Sequence, residues 1–84
     1  MWNYRVMRHT EEDTVWYGLH EVFYNEKDQI CGWTEDSIVP GRESVEELEE
    51  EVTMMLADVK KSKHKVLDFD MEPEGDFEGV EDDV

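Results

Sequence analysis

The clearest structural signal in this 84-residue chain is SVEELEEEVTMMLADVKK, residues 44–61. Ser44 followed three residues later by Glu47 forms a capping box, the pattern that marks the first turn of a helix. Apolar residues then recur at spacings of three and four, which is the periodicity of one helix face. They are Val45, Leu48, Val52, Met55, Leu56 and Val59. We therefore predict one amphipathic helix over residues 45–61.

Four runs of residues that favour strands surround this helix, at residues 2–9, 15–24, 29–34 and 65–69. Short polar segments separate the first three runs and are typical of hairpin turns, which predicts an antiparallel meander. The predicted fold is α+β. It has a three- to four-stranded antiparallel sheet in the order β-β-β-α-β, with the helix packed on one face. We assign residues 1–72 to this single domain.

The chain is strongly acidic, with 24 Asp and Glu residues against 8 Lys and Arg residues and a formal net charge of −16. Nine of the acids and none of the bases lie in residues 67–84. We predict that residues 73–84 are a disordered acidic tail, since Pro73, Gly75 and Gly79 disfavour a helix. Two interpretations stay open, a solubilising end or a binding segment. The apolar anchors of a binding segment would be Phe69, Met71, Phe77 and Val80.

The charge argues against direct binding to DNA, RNA or an anionic membrane, because like charges repel and few cations are present to displace counterions. No apolar run reaches the roughly 18–20 residues that a membrane span needs. The first residues also lack the apolar core of a signal peptide, so we expect a cytoplasmic protein. The single cysteine, Cys31, rules out an internal disulfide framework, and we predict that it is buried and structural.

Histidines and acids are present, but their spacing matches no known catalytic or metal site. His9 and His20 lie on neighbouring predicted strands. One interpretation is that these two histidines bind a metal together with an acid such as Glu21 or Glu35. No recognised ligand spacing supports this interpretation. Ordinary strand histidines are the simpler interpretation. We predict no catalytic, cofactor-binding or metal-binding residues and a protein that is not an enzyme.

The second predicted strand is apolar on both faces, and a single helix covers only one of them. One face carries Val15, Tyr17, Leu19 and Phe23, and the other carries Trp16, Val22 and Tyr24, with Trp33 or Cys31 beside either. An open aromatic face on a small domain marks an interface. In the alternative, the tail or the loop 35–43 folds over that face, and a homodimer would also bury it.

Interface energy concentrates in a few aromatic and charged residues. We therefore predict two sets of partner-binding residues, apolar anchors and charge determinants. The anchors are Trp16, Tyr24 and Trp33, and the charge determinants are Glu46, Glu49, Glu50 and Glu51.

The start of the helix carries Gly41, Glu43, Ser44, Glu46, Glu47 and Leu48, with Arg42 intervening. At these positions, and in the order of elements over about residues 3–69, the chain resembles the HicB-like antitoxin core. The resemblance implies a small α+β sheet with one helix, no enzymatic activity, and binding to a small basic RNA-cleaving toxin, often as a dimer. The family's C-terminal DNA-binding segment is replaced here by the acidic residues 68–84, so DNA binding is not implied.

These features predict a non-enzymatic acidic interaction module that binds and blocks a basic protein that handles nucleic acid, such as a nuclease or a toxin. Carboxylates spaced along a rigid element compete with phosphates for a basic cleft, which makes nucleic-acid mimicry one form of this hypothesis. In size and charge alone, the chain also resembles phage-encoded inhibitors such as anti-CRISPR proteins. The alternative is a small homodimeric structural domain with no inhibitory activity.

Overall fold

The computed structural model describes residues 1–76, which form a four-stranded sheet and one helix, an α+β fold. The strands are Trp2–Glu11 (β1), Thr14–Tyr24 (β2), Ile30–Trp33 (β3) and Leu67–Asp68 (β4), and the helix is Val45–Ser62 (α1). The predicted order β-β-β-α-β is confirmed. The helix ends one residue later than predicted.

The sheet has the strand order β3-β2-β1-β4. β1 and β2 form a long antiparallel hairpin in which Trp2 lies opposite Phe23, and β3 pairs antiparallel with β2. β4 instead runs parallel to β1, with Leu67 opposite Met7. The prediction of an entirely antiparallel sheet is therefore wrong at its last strand.

The path of the helix explains the parallel strand. The backbone amide of Tyr4 donates to Asp58 Oδ2 at 3.1 Å, and the amide of Val6 donates to Ser62 Oγ at 3.4 Å. The helix thus runs beside β1 and in the same direction, and β4 begins beyond its end. Because the chain does not reverse its direction between the helix and β4, β4 pairs with β1 in parallel. The helix covers the free edge of β1, whereas the sequence predicted packing on a sheet face.

The hydrophobic core lies on the sheet face that carries Met7 and Val22, both fully buried, together with Ile30. Phe69 and Met71, from the segment after β4, pack against this cluster. The segment that follows β4 therefore covers this face, whereas the alternative drawn from the sequence was cover by the tail 73–84 or by the loop 35–43.

Order continues past the predicted start of the tail at residue 73. The amides of Glu74 and Gly75 donate to the Ile30 carbonyl at 2.8 and 3.1 Å, and the Ile30 amide donates to Glu74 Oε1 at 2.9 Å. These bonds extend the edge of β3. Residues 77–84, which include the predicted anchors Phe77 and Val80, lie outside the described residues.

The first turn of α1 confirms the capping box, since the amide of Glu47 donates to Ser44 Oγ at 3.2 Å. The predicted apolar stripe, however, only partly faces the sheet. Met55 is buried, but Val52 is 45% and Leu56 53% exposed. The helix turns Glu51 and Ser62 inward as well. Ser62 lies inward because the free amides of β1 need hydrogen-bond acceptors that apolar side chains do not supply. Glu51 accepts instead from Arg42 and from the Gly41 amide.

Candidate interaction surface

The three predicted aromatic anchors all lie on the core side of the sheet. Trp33 and Tyr24 are half-buried against the core cluster, and the Tyr24 hydroxyl accepts a hydrogen bond from Arg5 at 3.1 Å. Trp16 lies at the far end of β2 and is 36% exposed. Its ring stacks on His9, with ring centroids 3.8 Å apart. The three side chains therefore contribute mainly to packing, and only Trp16 among them presents a large exposed surface.

The four predicted helix acids divide into two groups. Glu46, Glu49 and Glu50 are exposed, whereas Glu51 is buried. Glu50 and Glu51 line the same cavity beside Tyr4, and Glu46 and Glu49 do not line it. The structure thus brings two of the four predicted charge determinants together.

An acidic groove crosses the other face of the sheet, the face opposite the core. Its larger part, which we call the Tyr4 cavity, has a volume of about 610 Å³ and lies between the sheet, the segment 34–42 and the helix. It is lined by Tyr4, Glu21, Thr34, Glu35, Asp36, Ser37, Ile38, Val39, Arg42 and Glu51. A smaller part, the Trp2 cavity of about 230 Å³, is lined by Trp2, Tyr4, Arg42, Glu47, Glu50, Glu51 and Met54.

Arg42 and Glu51 form an ion pair where the two cavities adjoin. The Glu51 side chain is 6% exposed and the Arg42 side chain 50%. Gly41 also donates its amide to Glu51 Oε1 at 3.2 Å, so both carboxylate oxygens are occupied. The ion pair and this hydrogen bond fasten the loop before the helix onto the helix.

Tyr4 forms the floor shared by both cavities and is only 5% exposed. It lies directly opposite Glu21 in the hairpin. Burial raises the pKa of the Tyr4 hydroxyl, and the nearby carboxylates of Glu51 and Glu21 raise this pKa further. The phenol therefore stays neutral over the physiological range, as a donor and acceptor beside several carboxylates.

Sequence reasoning missed Tyr4, Glu21 and Arg42 as members of this groove. One signal was present, because Arg42 is the only Lys or Arg between Asp28 and Val59. A lone base within an acidic stretch is a candidate for a structural ion pair. No local pattern indicated that its partner would be Glu51 in particular.

His9 and His20 are brought together on the core face. Their Nε2 atoms lie 2.8 Å apart, and His20 Nδ1 lies 2.9 Å from the Thr34 carbonyl oxygen. Because a carbonyl only accepts, His20 donates from Nδ1, and its Nε2 accepts from His9. His9 is also stacked between Trp16 and Phe69. Burial lowers the pKa of His20; the hydrogen bond to Thr34 opposes this effect, and His9 adds to the lowering.

In the part of the chain that the structure describes, the two histidines have no third metal ligand beside them. Within residues 1–76, no group of three or more His, Cys, Asp or Glu side chains is placed to hold a metal ion. Cys31 is buried as predicted, and its Sγ donates to the Phe23 carbonyl at 3.3 Å. The one helix of the described chain is too polar to cross a membrane.

No family model, curated protein or solved structure matches this chain significantly. The resemblance to the HicB-like antitoxin core therefore stays a prediction.

Proposed function

We propose that this protein is a non-enzymatic binding module of the cytoplasm that occupies and blocks a basic, nucleic-acid-handling protein such as a nuclease or a toxin. The acidic groove is the observation that carries the proposal. It gathers carboxylates from β2, the segment 34–42 and the helix around a single base, Arg42.

The imbalance of charge extends beyond the groove. Within residues 1–76 there are two ion pairs between side chains, Arg8 with Asp68 and Arg42 with Glu51. Most carboxylates of this part of the chain therefore have no cationic partner among residues 1–76. Such a field attracts a basic surface at long range and repels nucleic acid.

The groove also offers apolar contact area, which charge alone does not supply. Trp2 is 44% and Met54 55% exposed at its narrow end. Exposed aromatic and methionine side chains beside charge are typical of the residues that dominate binding energy. We assign to Trp2 the anchoring role that the sequence predicted for Trp16, Tyr24 and Trp33.

The test is capture from a lysate of the native host, followed by an activity assay of whatever basic protein is retained. The baits are the full-length protein, a chain ending at Asp76, and a groove variant, Glu47→Gln with Glu50→Gln. Glu26→Gln with Asp28→Asn, in the β2–β3 loop, is the control of equal charge. We expect a basic nucleic-acid-binding protein that moderate salt releases, that the groove variant loses, and whose activity falls when the full-length protein is added.

Two results would contradict the proposal. One is capture of no basic protein. The other is capture of a basic protein whose activity is unchanged when the full-length protein is added. Loss of binding by the chain ending at Asp76 would assign the contact to the tail. If a partner is found, the neighbouring genes distinguish an antitoxin, which lies beside a small basic toxin, from a phage-type inhibitor in a mobile element.

A second candidate function is that of a small homodimeric structural domain without inhibitory activity. The exposed apolar residues of the helix favour it, namely Val45, Val52 and Leu56. Light scattering over a range of concentrations tests it. A dimer that Leu56→Glu abolishes and Ala57→Glu retains would support this function, and a monomer at every concentration would exclude it.

A further inference from the structure

A cavity of about 200 Å³ lies between β1 and the last turn of α1, and we call it the Arg5 cavity. Its lining contains three bases, Arg5, Lys61 and Lys65, and one acid, Asp58. None of the three bases forms an ion pair with a side chain of residues 1–76. Asp58 Oδ2 accepts a hydrogen bond from the Tyr4 amide instead. In a chain with a net charge of −16, this cavity therefore gathers positive charge that no carboxylate of the described chain neutralises.

The guanidinium of Arg5 is held in place in the wall of this cavity. Its Nη1 donates to the Tyr24 hydroxyl at 3.1 Å, and its Nη2 donates to the Lys65 carbonyl at 2.9 Å. The residue is half-buried. Both bonds go to neutral oxygens, so the positive charge is fixed in position and not compensated. A fixed cation loses little conformational entropy when an anion binds to it.

A second observation, independent of the charges, points to a ligand in the same place. Within residues 1–76, the buried side-chain atoms that have no hydrogen-bond partner are Arg5 Nε and Asn3 Oδ1. Both residues line the Arg5 cavity. Buried polar atoms without a partner cost free energy and are rare unless a ligand or water satisfies them. Arg5 Nε needs an acceptor and Asn3 Oδ1 needs a donor, so a complementary ligand carries both.

We propose that the Arg5 cavity is a binding site for inorganic phosphate. The anionic oxygens of phosphate accept from Arg5, Lys61 and Lys65, and its remaining P–OH group donates to Asn3 Oδ1. Sulfate has no such donor at neutral pH, and a phosphate monoester, with a second pKa of about 6, has mostly lost its proton at pH 7.5. The cavity is several times larger than the ~30 Å³ that one water occupies in the liquid, so a small oxyanion fits. This inference goes beyond the proposed function and does not depend on it.

The probe is sodium phosphate at pH 7.5, added to ¹⁵N-labelled full-length protein at constant ionic strength and followed through the backbone amide signals. Sodium sulfate and methyl phosphate are the comparison anions. The cavity variant is Lys61→Gln with Lys65→Gln, and Lys60→Gln with Lys63→Gln is the control of equal charge at the same end of the helix. All four lysines are exposed, so neither variant disturbs the core. Asn3→Ala removes the acceptor from the cavity wall and leaves the charge unchanged.

We expect phosphate to shift the amides of residues 3–5 and 61–65 in a saturable way. A lost hydrogen bond to a charged group weakens a complex by roughly tenfold, so the cavity variant should bind phosphate at least about tenfold more weakly than the control variant. Sulfate and methyl phosphate should bind the wild-type protein more weakly than phosphate. Asn3→Ala should reduce this preference for phosphate over sulfate. The amide spectrum of each variant also reports whether it is folded.

Three results would overturn the inference. The first is the absence of any saturable shift with phosphate. The second is equal weakening by the cavity and control variants, which would reduce the effect to the general charge of the lysines. The third is sulfate binding as tightly as phosphate, which would show that Asn3 selects no P–OH group. None of these results bears on the capture of a basic protein, so the proposed function stands or falls separately.

Discussion

Asp58 Oδ2 accepts a hydrogen bond of 3.1 Å from the backbone amide of Tyr4, which joins the helix to the exposed edge of the first strand. An edge strand with free amides is a template for pairing with another chain. Asp58 and, one turn later, Ser62 supply acceptors at positions where β4 does not yet pair with β1. The helix therefore protects this edge through polar side chains.

Asp58→Ala should lower the free energy of unfolding by about 1–3 kcal/mol, because it leaves a partly buried amide without its charged acceptor. Glu49→Ala is the control on the same helix, since it removes the same charge from an exposed position. We expect the control to change stability by less than about 0.5 kcal/mol. Urea unfolding measures both, and equal effects would show that the Asp58 contact contributes nothing.

The helix also allows a direct comparison of two adjacent apolar residues. Met55 is 7% exposed and Leu56 53%. Met55→Ala should cost about 2–4 kcal/mol, since it empties a packed position. Leu56→Ala should cost less than about 1 kcal/mol in the monomer, because little of its surface is buried on folding. Thermal unfolding at low protein concentration measures the stability of both variants. A larger loss of stability for Leu56→Ala than for Met55→Ala would mean that the helix packs through the apolar stripe predicted from the sequence.

That comparison separates what the sequence could predict from what it could not. Strand and helix positions follow from local periodicity, and the Ser44 cap follows from a local motif, so both were predictable. The orientation of the helix about its axis was not, because periodicity identifies an apolar stripe without saying which element buries it. In this protein the helix turns Asp58 and Ser62 toward β1, because the free backbone amides at the edge of β1 need hydrogen-bond acceptors.

The candidate site was less predictable than the fold for a related reason. The Tyr4 cavity joins side chains from β1, β2, the segment 34–42 and the helix, and no local motif links them. Burial of Glu51 beside Arg42 depends on how the loop returns to the helix, which is a tertiary property. A count of carboxylates indicated an acidic surface without locating the groove.

Gly18 is a position at which an added side chain should be poorly tolerated. A Cβ there would lie 3.0 Å from Ser37 Cβ and 3.0 Å from the Trp16 ring, and 3.2 Å from His20 Nε2. Gly18→Ala should therefore destabilise the protein by about 1–3 kcal/mol through crowding. At Gly41 a Cβ meets nothing within 4 Å, so Gly41→Ala is the matched control and should be close to neutral. If urea unfolding gave both variants the same stability, crowding at Gly18 would be contradicted.

The pair formed by His9 and His20 predicts how stability changes with pH. Burial holds the pKa of His20 below its usual value of 6.5. The unfolded chain therefore binds a proton at His20 more readily than the folded chain does, and stability rises with pH over this range. The contribution of neutral His20 is fully present above pH 6.5 and is lost as the pH falls through the lower pKa of the folded state. Protonated His20 would also lose the ability to accept from His9, since both of its ring nitrogens would then donate.

Urea unfolding between pH 7.5 and 5 at constant ionic strength should accordingly show decreasing stability, and His20→Gln should flatten the decrease. His64→Gln, at an exposed position after the helix, is the control and should retain the wild-type slope. A further check is the imidazole signal of His20 in a proton NMR titration of the folded protein, which should titrate below pH 6.5. A slope unchanged by His20→Gln would show that His20 does not set the pH dependence.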